Sequence, residues 1–168
     1  MTNYIFIDGS YFVFYRFHAL FAWWRLSHKD EPIDNPIKNK DFVEKFKRLF
    51  IENIQKIGKK LSIDEPFIMV GKDCPRSDIW RHEHIKAYKG KRANNNVIKP
   101  FFVMAYNELF EKAGVSKILS HEKLEADDCI AIATRHYLKD KSNTITIITS
   151  DTDYLQLIED RVNIYNGK

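Results

Sequence analysis

Carboxylates recur in this 168-residue sequence shortly after short apolar runs, where they could serve as ligands for metal cations. Asp8 follows the run 3–7, and Asp73 comes shortly after the run 67–70. If these runs are parallel strands, their carboxyl ends open on one crevice, so the acids converge. The same reasoning gathers seven acids, which are Asp8, Asp73, Glu125, Asp127, Asp128, Asp151 and Asp153.

Seven carboxylates in one crevice would repel one another, and several would stay protonated unless cations neutralise them. Ligation by oxygen alone selects hard ions, which predicts Mg²⁺ first, with Mn²⁺ as the substitute. Glu125 and Asp128 are three residues apart on a predicted helix and share a face. An alternative remains open, because acids in first helical turns complement the helix dipole, which would explain Glu125 and Asp151 without a ligand.

Other cofactors fit the sequence less well. A zinc site needs His and Cys at ligand spacing, and the sequence offers only His82, His84 and the distant Cys74 near the crevice. Gly9 and Gly71 are isolated, and no glycine-rich phosphate loop is present, so a nucleotide cofactor is not expected.

Positive charge is concentrated in residues 72–99, which we call the basic segment. It holds eight cations and three acids, a formal charge of +5 in a chain whose total is +4. Aromatic residues such as Trp80 and Tyr88 are interleaved with the cations. Because cations contact phosphates and aromatic faces stack on unpaired bases, the segment predicts an exposed insertion that binds single-stranded nucleic acid. An ordinary solvated charged helix is the alternative.

The elements that position these residues alternate along the chain. Strands are predicted at 3–7, 67–70, 115–119, 144–149 and 161–165. Helices are predicted at 10–26, with Ser10 as the cap, and at 40–60, 99–113, 125–138 and 151–158. Strands separated by helices pair in parallel, so we expect an α/β fold with a central, mainly parallel sheet.

Composition agrees with a single folded domain. The chain is 44% apolar, which is enough for a core without disulfides, and its two cysteines favour a reducing compartment. The sequence has no basic leader and no apolar run of membrane-spanning length. We therefore expect a cytoplasmic protein that does not associate with membranes.

The order of these segments resembles the 5′ nuclease superfamily, which includes flap endonucleases, phage 5′-3′ exonucleases and RNase H enzymes, and the 5′ nuclease domain of bacterial DNA polymerases. The resemblance covers nearly the whole chain. The motifs that carry it are IDGS at 7–10, YRFHAL at 15–20, WRHE at 80–83, YKGKR at 88–92, EADD at 125–128 and TSDTDYLQL at 149–157.

The resemblance implies a three-layer PIN-like fold and a structure-selective nuclease that uses two metal ions. Asp8, Asp73, Glu125 and Asp127 would hold the first ion, with Asp128 close by. Asp151 and Asp153 would serve the second ion. Lys89 and Arg92 would act as catalytic residues that grip the scissile phosphate from the arch formed by the basic segment. The residues expected to bind nucleic acid are Arg16, Arg81, Lys86, Tyr88 and Lys91.

The implied partners are DNA with 5′ ends or flaps, an RNA–DNA hybrid, and replication proteins. Family members usually continue into a helix-hairpin-helix region that completes the second metal site, and residues 1–168 are expected to lack it. Alternatives are a non-catalytic nucleic-acid-binding domain of the same fold, a haloacid-dehalogenase-like phosphatase and a PIN-type ribonuclease. The phosphatase needs Asp-x-Asp, and Ser10 stands where its second Asp should be.

Overall fold

A computed structural model describes residues 1–85 and 96–167. Its strands are β1 (Asn3–Asp8), β2 (Phe67–Gly71), β3 (Lys117–Leu119), β4 (Thr144–Ile148) and β5 (Val162–Tyr165). Its α-helices are α1 (Gly9–Ser27), α2 (Lys40–Gln55), α3 (Ile57–Lys60), α4 (Lys99–Met104), α5 (Phe110–Lys112) and α6 (Ala126–Tyr137). A π-helical turn, Ala105–Leu109, joins α4 to α5. Short 3-10 helices form at Pro36–Lys38, Arg76–Asp78, Trp80–Glu83 and Thr152–Leu157.

The five strands form one sheet in the order β3-β2-β1-β4-β5, and every pairing between these strands is parallel. The predicted parallel α/β architecture is therefore confirmed. The chain runs outward from β1 through β2 to β3 and then returns to β4 on the other side of β1. The carboxyl ends of β1 and β4 thus flank a topological switch point, where open α/β sheets place their ligands.

Alternate residues of β1 point to opposite faces of the sheet, because side chains alternate along a strand. Ile5 and Ile7 join the core under α1, α2 and α4, whereas Phe6 joins a second core with Ile130 of α6. All three β1 residues are fully buried. Helices therefore cover both faces, which gives the predicted three layers.

Several elements differ from the predictions, most of them by one residue at an end. The helix predicted over 40–60 is interrupted at Lys56, which separates α2 from α3. Gly58 of α3 then packs against Pro66. The strand predicted from residue 115 begins at Lys117, after a turn at Gly114, which has a positive φ of 86°. The helix predicted over 151–158 is a 3-10 helix, which the Asp151 side chain caps.

The basic segment is not wholly an exposed insertion. Cys74, Ile79 and Ile98 are buried, and backbone hydrogen bonds connect its first part to the turn at Lys123 and Leu124. Apolar side chains between the charges explain this packing. The predicted site residues Lys86, Tyr88, Lys89, Lys91 and Arg92 lie outside the described residues.

None of the helices within residues 1–85 and 96–167 combines the length and the apolar character that a membrane-spanning helix needs.

Gly9 shows how tightly β1 is joined to α1. A Cβ at this position would lie 2.6 Å from the Gly71 carbonyl oxygen, 2.8 Å from a Val70 methyl carbon, and also against the Tyr106 hydroxyl. Two of these neighbours belong to β2, the adjacent strand in the sheet. Backbone cannot move away as easily as the end of a flexible side chain.

We therefore predict that Gly9→Ala lowers the free energy of unfolding by about 3 kcal/mol, the upper part of the usual cost of overpacking. Urea denaturation would measure it. Gly114→Ala is the control, since nothing lies near its Cβ and only its positive φ is strained. An equal loss in both variants would contradict the steric explanation.

Candidate functional site

Asp8 is the last residue of β1 and also the N-cap of α1, so no loop separates the strand from the helix. Its Oδ1 accepts a hydrogen bond from the Tyr11 backbone N–H at 3.1 Å. Its Oδ2 accepts one from the Thr149 hydroxyl at 3.2 Å, just beyond the end of β4. Asp8, rather than the predicted Ser10, therefore caps α1, because a cap must precede the first helical turn.

Asp73 lies two residues after β2 and connects the start of α1 to the start of α6. Ser10 donates its hydroxyl to Asp73 Oδ2, and the Ala126 backbone N–H donates to Oδ1 at 2.8 Å. The Ser10 side chain thus holds an acid of the site instead of capping the helix. Through these bonds, Asp73 is fixed beside Glu125.

The first turn of α6 holds three acids whose oxygens approach most closely. One carboxylate oxygen from each of Glu125, Asp127 and Asp128 lies within 4.8 Å of the others. Glu125 and Asp128 form a reciprocal capping box, in which each side chain accepts from the other residue's backbone N–H. The sequence prediction that α6 begins with a shared acidic face agrees with this geometry.

Arg81 is directed at the same acids. Its Nη1 donates to Glu125 Oε2 at 2.8 Å and to Asp128 Oδ2 at 2.7 Å, while Nη2 donates to Asp128 Oδ1 at 2.8 Å. Glu125 is almost fully buried. Trp80 adds a hydrogen bond from its indole N–H to Asp128 at 3.3 Å. The structure pairs Arg81 with two acids of the site, and its contact with nucleic acid stays a prediction.

These environments shift the pKa values of the carboxyl groups in different directions. Burial, followed by the charge of Asp73, raises the pKa of Asp8 to about 6, although hydrogen bonds from Tyr11 and Thr149 oppose the rise. Burial likewise raises the pKa of Asp127, and the charges of Asp128 and Glu125 add to it. Burial would also raise the pKa of Asp128, but the hydrogen bonds from Arg81 and the Glu125 backbone outweigh it and lower that pKa.

Asp151 and Asp153 lie at the same edge of the sheet but are exposed. The Asp151 backbone N–H donates to Thr149 Oγ1 at 3.1 Å, and its side chain accepts from the Asp153 backbone N–H. Thr149 thus connects Asp151 to Asp8. Within residues 1–85 and 96–167, the close three-acid group includes neither Asp151 nor Asp153.

Arg16 lies two turns along α1 from Asp8. Its guanidinium packs over the rings of Phe12 and Tyr15, 5.1 Å from each centroid. Its buried Nε has no hydrogen-bond partner among the residues described. Burial lowers the pKa of Arg16. The predicted contact of Arg16 with nucleic acid stays a prediction.

Four residues of the site are not among the site residues predicted from the sequence. Thr149 and Ser10 hold acids, whereas Tyr106 and Tyr154 place phenols near them. Burial raises the pKa of both phenols, and the charges of Asp8 and Asp73 contribute. Thr149 directly precedes the Ser-Asp of a motif, so its position alone could have identified it. Tyr154 lies in the same motif, TSDTDYLQL at 149–157, whereas Tyr106 carries no comparable local signal.

The donor set suits a hard divalent cation. Every convergent ligand atom is a carboxylate oxygen, and the raised pKa of Asp8 and Asp127 shows how poorly the site tolerates uncompensated negative charge. The buried hydroxyl of Tyr154 has no hydrogen-bond partner among the described residues, and burial followed by the charge of Asp8 raises its pKa. The residues therefore fit Mg²⁺ or Mn²⁺. Arg81 donates to Glu125 and Asp128, whereas Asp8 and Asp127 are the carboxyl groups whose pKa is raised.

Comparison with known proteins gives a consistent result. Residues 3–168 match the family described as the N-terminal resolvase-like domain of 5′-3′ exonuclease. A curated 5′-3′ exonuclease of Buchnera aphidicola subsp. Acyrthosiphon pisum (strain APS) is 29% identical over 89 residues, which are 53% of this chain and 30% of that protein.

Solved structures of bacteriophage T5 proteins share the fold. The D15 protein co-crystallised with metal ions has a TM-score of 0.60 at 20% identity, covering 97% of this chain and 54% of that one. A variant D15 flap endonuclease in a pseudo-enzyme–product complex with DNA and metal ions gives the same values. A T5 5′-exonuclease mutant has a TM-score of 0.53 at 17% identity. The chain spans about half the length of these proteins.

We predict that Arg81→Met lowers the free energy of unfolding by roughly 3 kcal/mol, because it leaves the buried Glu125 without its cation. The matched control is Arg48→Met, whose surface pair with Glu52 contributes little to stability because solvent screens it. Urea denaturation in EDTA would measure both. Added Mg²⁺ should reduce the deficit of Arg81→Met, since it neutralises the same acids. Equal losses in the two variants would contradict the assignment.

A second prediction concerns Asp8, whose pKa is raised in the fold to about 6 from an ordinary 3.8. The raised pKa means that ionised Asp8 destabilises the fold by about 3 kcal/mol above pH 6, and that this penalty disappears below pH 4. Asn keeps an N-cap oxygen without the charge. Asp8→Asn should therefore raise the melting temperature in EDTA at pH 7.5 and lose that advantage towards pH 4.

The control for Asp8→Asn is Asp34→Asn, at an exposed position. It should leave the melting temperature unchanged at both pH values. A destabilised Asp8→Asn at pH 7.5 would show that the carboxylate is a net stabiliser, contrary to the prediction.

Proposed function

This chain belongs to the family of 5′-3′ exonuclease N-terminal, resolvase-like domains, and we propose that it is a divalent-metal-dependent, structure-selective 5′ nuclease. Its substrates are phosphodiester bonds near 5′ ends or flaps of DNA, with RNA primers in RNA–DNA hybrids as a further substrate class. Replication or repair is the setting in which such ends arise.

The observation that carries the proposal is the convergence of acids at the switch point of a parallel sheet. Asp8, Asp73 and the acids of α6 come from three separate strand ends, yet backbone and hydroxyl donors connect them into one site. A purely structural role does not explain this arrangement, because the burial of Asp8 and Asp127 disfavours their ionised forms. A site that accepts such a cost is typical of function.

Divalent cations would supply the activation of a water molecule and the stabilisation of charge on the leaving 3′ oxygen. Asp8, Asp73, Glu125 and Asp127 would hold the first ion, directly or through water. Asp151 and Asp153 would serve a second ion from the exposed rim. Arg81 lies beside the same edge, where it neutralises Asp128.

Residues of two segments would contact nucleic acid. Arg16 on α1 offers a guanidinium, and the basic segment carries Lys86, Tyr88, Lys89, Lys91 and Arg92 outside the described residues. Lys89 and Arg92 are proposed to grip the scissile phosphate, because phosphate contacts position a strand without reading its sequence. Cations and aromatic side chains together favour a single-stranded 5′ end over an intact duplex.

We predict that the chain cleaves a 5′-flap DNA in Mg²⁺ and that Asp127→Asn reduces the rate by about a hundredfold or more. The reason is the loss of a ligand for the cation, which contributes several kcal/mol to transition-state stabilisation. Gel analysis of a 5′-labelled flap would measure cleavage, with a nicked duplex for comparison. The control is Glu111→Gln, at an exposed position outside the motifs, and it should cleave at the wild-type rate.

Other outcomes of this assay contradict specific parts of the proposal. Wild-type cleavage by Asp127→Asn would remove Asp127 from the site. Flap binding without hydrolysis in either Mg²⁺ or Mn²⁺ would instead identify the chain as a non-catalytic nucleic-acid-binding domain of the same fold.

A further inference from the structure

Asp128 already accepts as many hydrogen bonds as a carboxylate can hold. Its Oδ1 accepts from Arg81 Nη2 at 2.8 Å, and its Oδ2 accepts from Arg81 Nη1 at 2.7 Å. Oδ2 also accepts from the Trp80 indole N–H at 3.3 Å and from the Glu125 backbone N–H at 3.2 Å. A carboxylate offers about four lone-pair sites. These four donors therefore use the acceptor capacity of Asp128.

Other acids of the site keep acceptor capacity for a cation. The described residues donate two hydrogen bonds to Asp8 and two to Asp73, from backbone N–H groups and hydroxyls. An oxygen of Asp128 lies within 4.8 Å of oxygens from Glu125 and Asp127, so distance alone would make Asp128 a third ligand on α6. Its hydrogen bonds are what set it apart.

Two of the four hydrogen bonds to Asp128 come from Arg81, whose surroundings hold it in place. The backbone before it is anchored, because Ile79 is buried and the Trp80 backbone N–H donates to the Lys123 carbonyl at 3.1 Å. The guanidinium itself lies 4.9 Å from the centroid of the Trp80 ring. Its planar fork engages both oxygens of one carboxylate, a geometry that is specific to arginine.

Arg81 also changes the charge that a cation would meet. The pair of Arg81 and Asp128 is neutral as a unit, and Arg81 Nη1 donates to Glu125 Oε2 at 2.8 Å as well. A unit positive charge several ångströms from a divalent cation weakens its binding on the order of tenfold, even when the repulsion is screened as in bulk water. Arg81 thus opposes a cation at these acids both by occupying their oxygens and by its charge.

We propose that Arg81 is a positioning residue that withholds Asp128 from the divalent cation and leaves ligation to the other acids of the site. The inference deepens the proposed function and rests on it for the identity of the cation. Its consequence is that loss of this arginine weakens the fold but strengthens cation binding. A residue with a purely structural role would not produce that combination.

The experiment is a double-mutant cycle of Arg81→Gln and Asp128→Asn, titrated with Mn²⁺ alone and followed by electron paramagnetic resonance. Arg81→Gln should bind Mn²⁺ roughly tenfold more tightly than the wild type, because it frees Asp128 and removes a positive charge. The double variant should return to within about threefold of the wild-type affinity, since a neutral pair is replaced by neutral groups and no ligand is lost.

Urea denaturation in EDTA accompanies each titration and establishes that the variants are folded. The double variant keeps the test valid if Arg81→Gln does not fold, because it leaves no uncompensated charge at position 128. The matched control is Arg48→Gln, whose surface pair with Glu52 lies on α2, outside the site. It should leave Mn²⁺ affinity unchanged.

Two results would overturn the proposal for Arg81. Equal or weaker Mn²⁺ binding by folded Arg81→Gln would show that Arg81 does not oppose the cation. A double variant that binds Mn²⁺ about tenfold more weakly than the wild type would show that Asp128 is a ligand in the wild type. Both results are distinct from failure of the proposed function, in which the wild type itself would bind no Mn²⁺ and cleave no flap DNA.

Discussion

The burial of several neighbouring carboxylates at one edge of a parallel sheet is the constraint on which the rest of this structure depends. The central strand β1 is covered on both faces, so Asp8 at its end has little access to water. Hydrogen-bond donors from several elements stabilise these acids. They are backbone N–H groups of α1 and α6, the hydroxyls of Ser10 and Thr149, and the guanidinium of Arg81. Compensation remains incomplete, as the raised pKa of Asp8 and Asp127 shows.

This incomplete compensation separates stability from function. A site optimised for the stability of the chain alone would replace some of these acids with neutral side chains, because an ionised carboxylate in a dry environment is costly. Retention of the acids is understandable if a cation provides the missing charge. Arg81 shows an intermediate solution, since it neutralises Glu125 and Asp128 from within the chain and leaves Asp8 and Asp127 available.

Local sequence patterns predicted the parts of the fold that depend on local physics. Apolar runs ending in acids identified strands whose carboxyl ends converge, and the spacing of Glu125 and Asp128 predicted their common face. Long-range partners could not be predicted in this way. The pairing of Arg81 with acids more than 40 residues away and the burial of the Tyr154 hydroxyl depend on how distant segments pack. Ser10 illustrates the difference, because a sequence-local cap was predicted where a contact with Asp73 formed.

The direct junction of β1 and α1 has a mechanical consequence. Asp8 belongs to both elements, so the 19 residues of α1 extend about 28 Å from the acids as one rigid arm. Gly71 and Tyr106 enclose Gly9, so the backbone has little freedom to move where α1 joins β1. Side chains along the exposed face of α1, from Phe14 to Leu26, therefore lie at fixed distances from Asp8. The helix therefore sets how far each of its side chains lies from the Asp8 carboxylate.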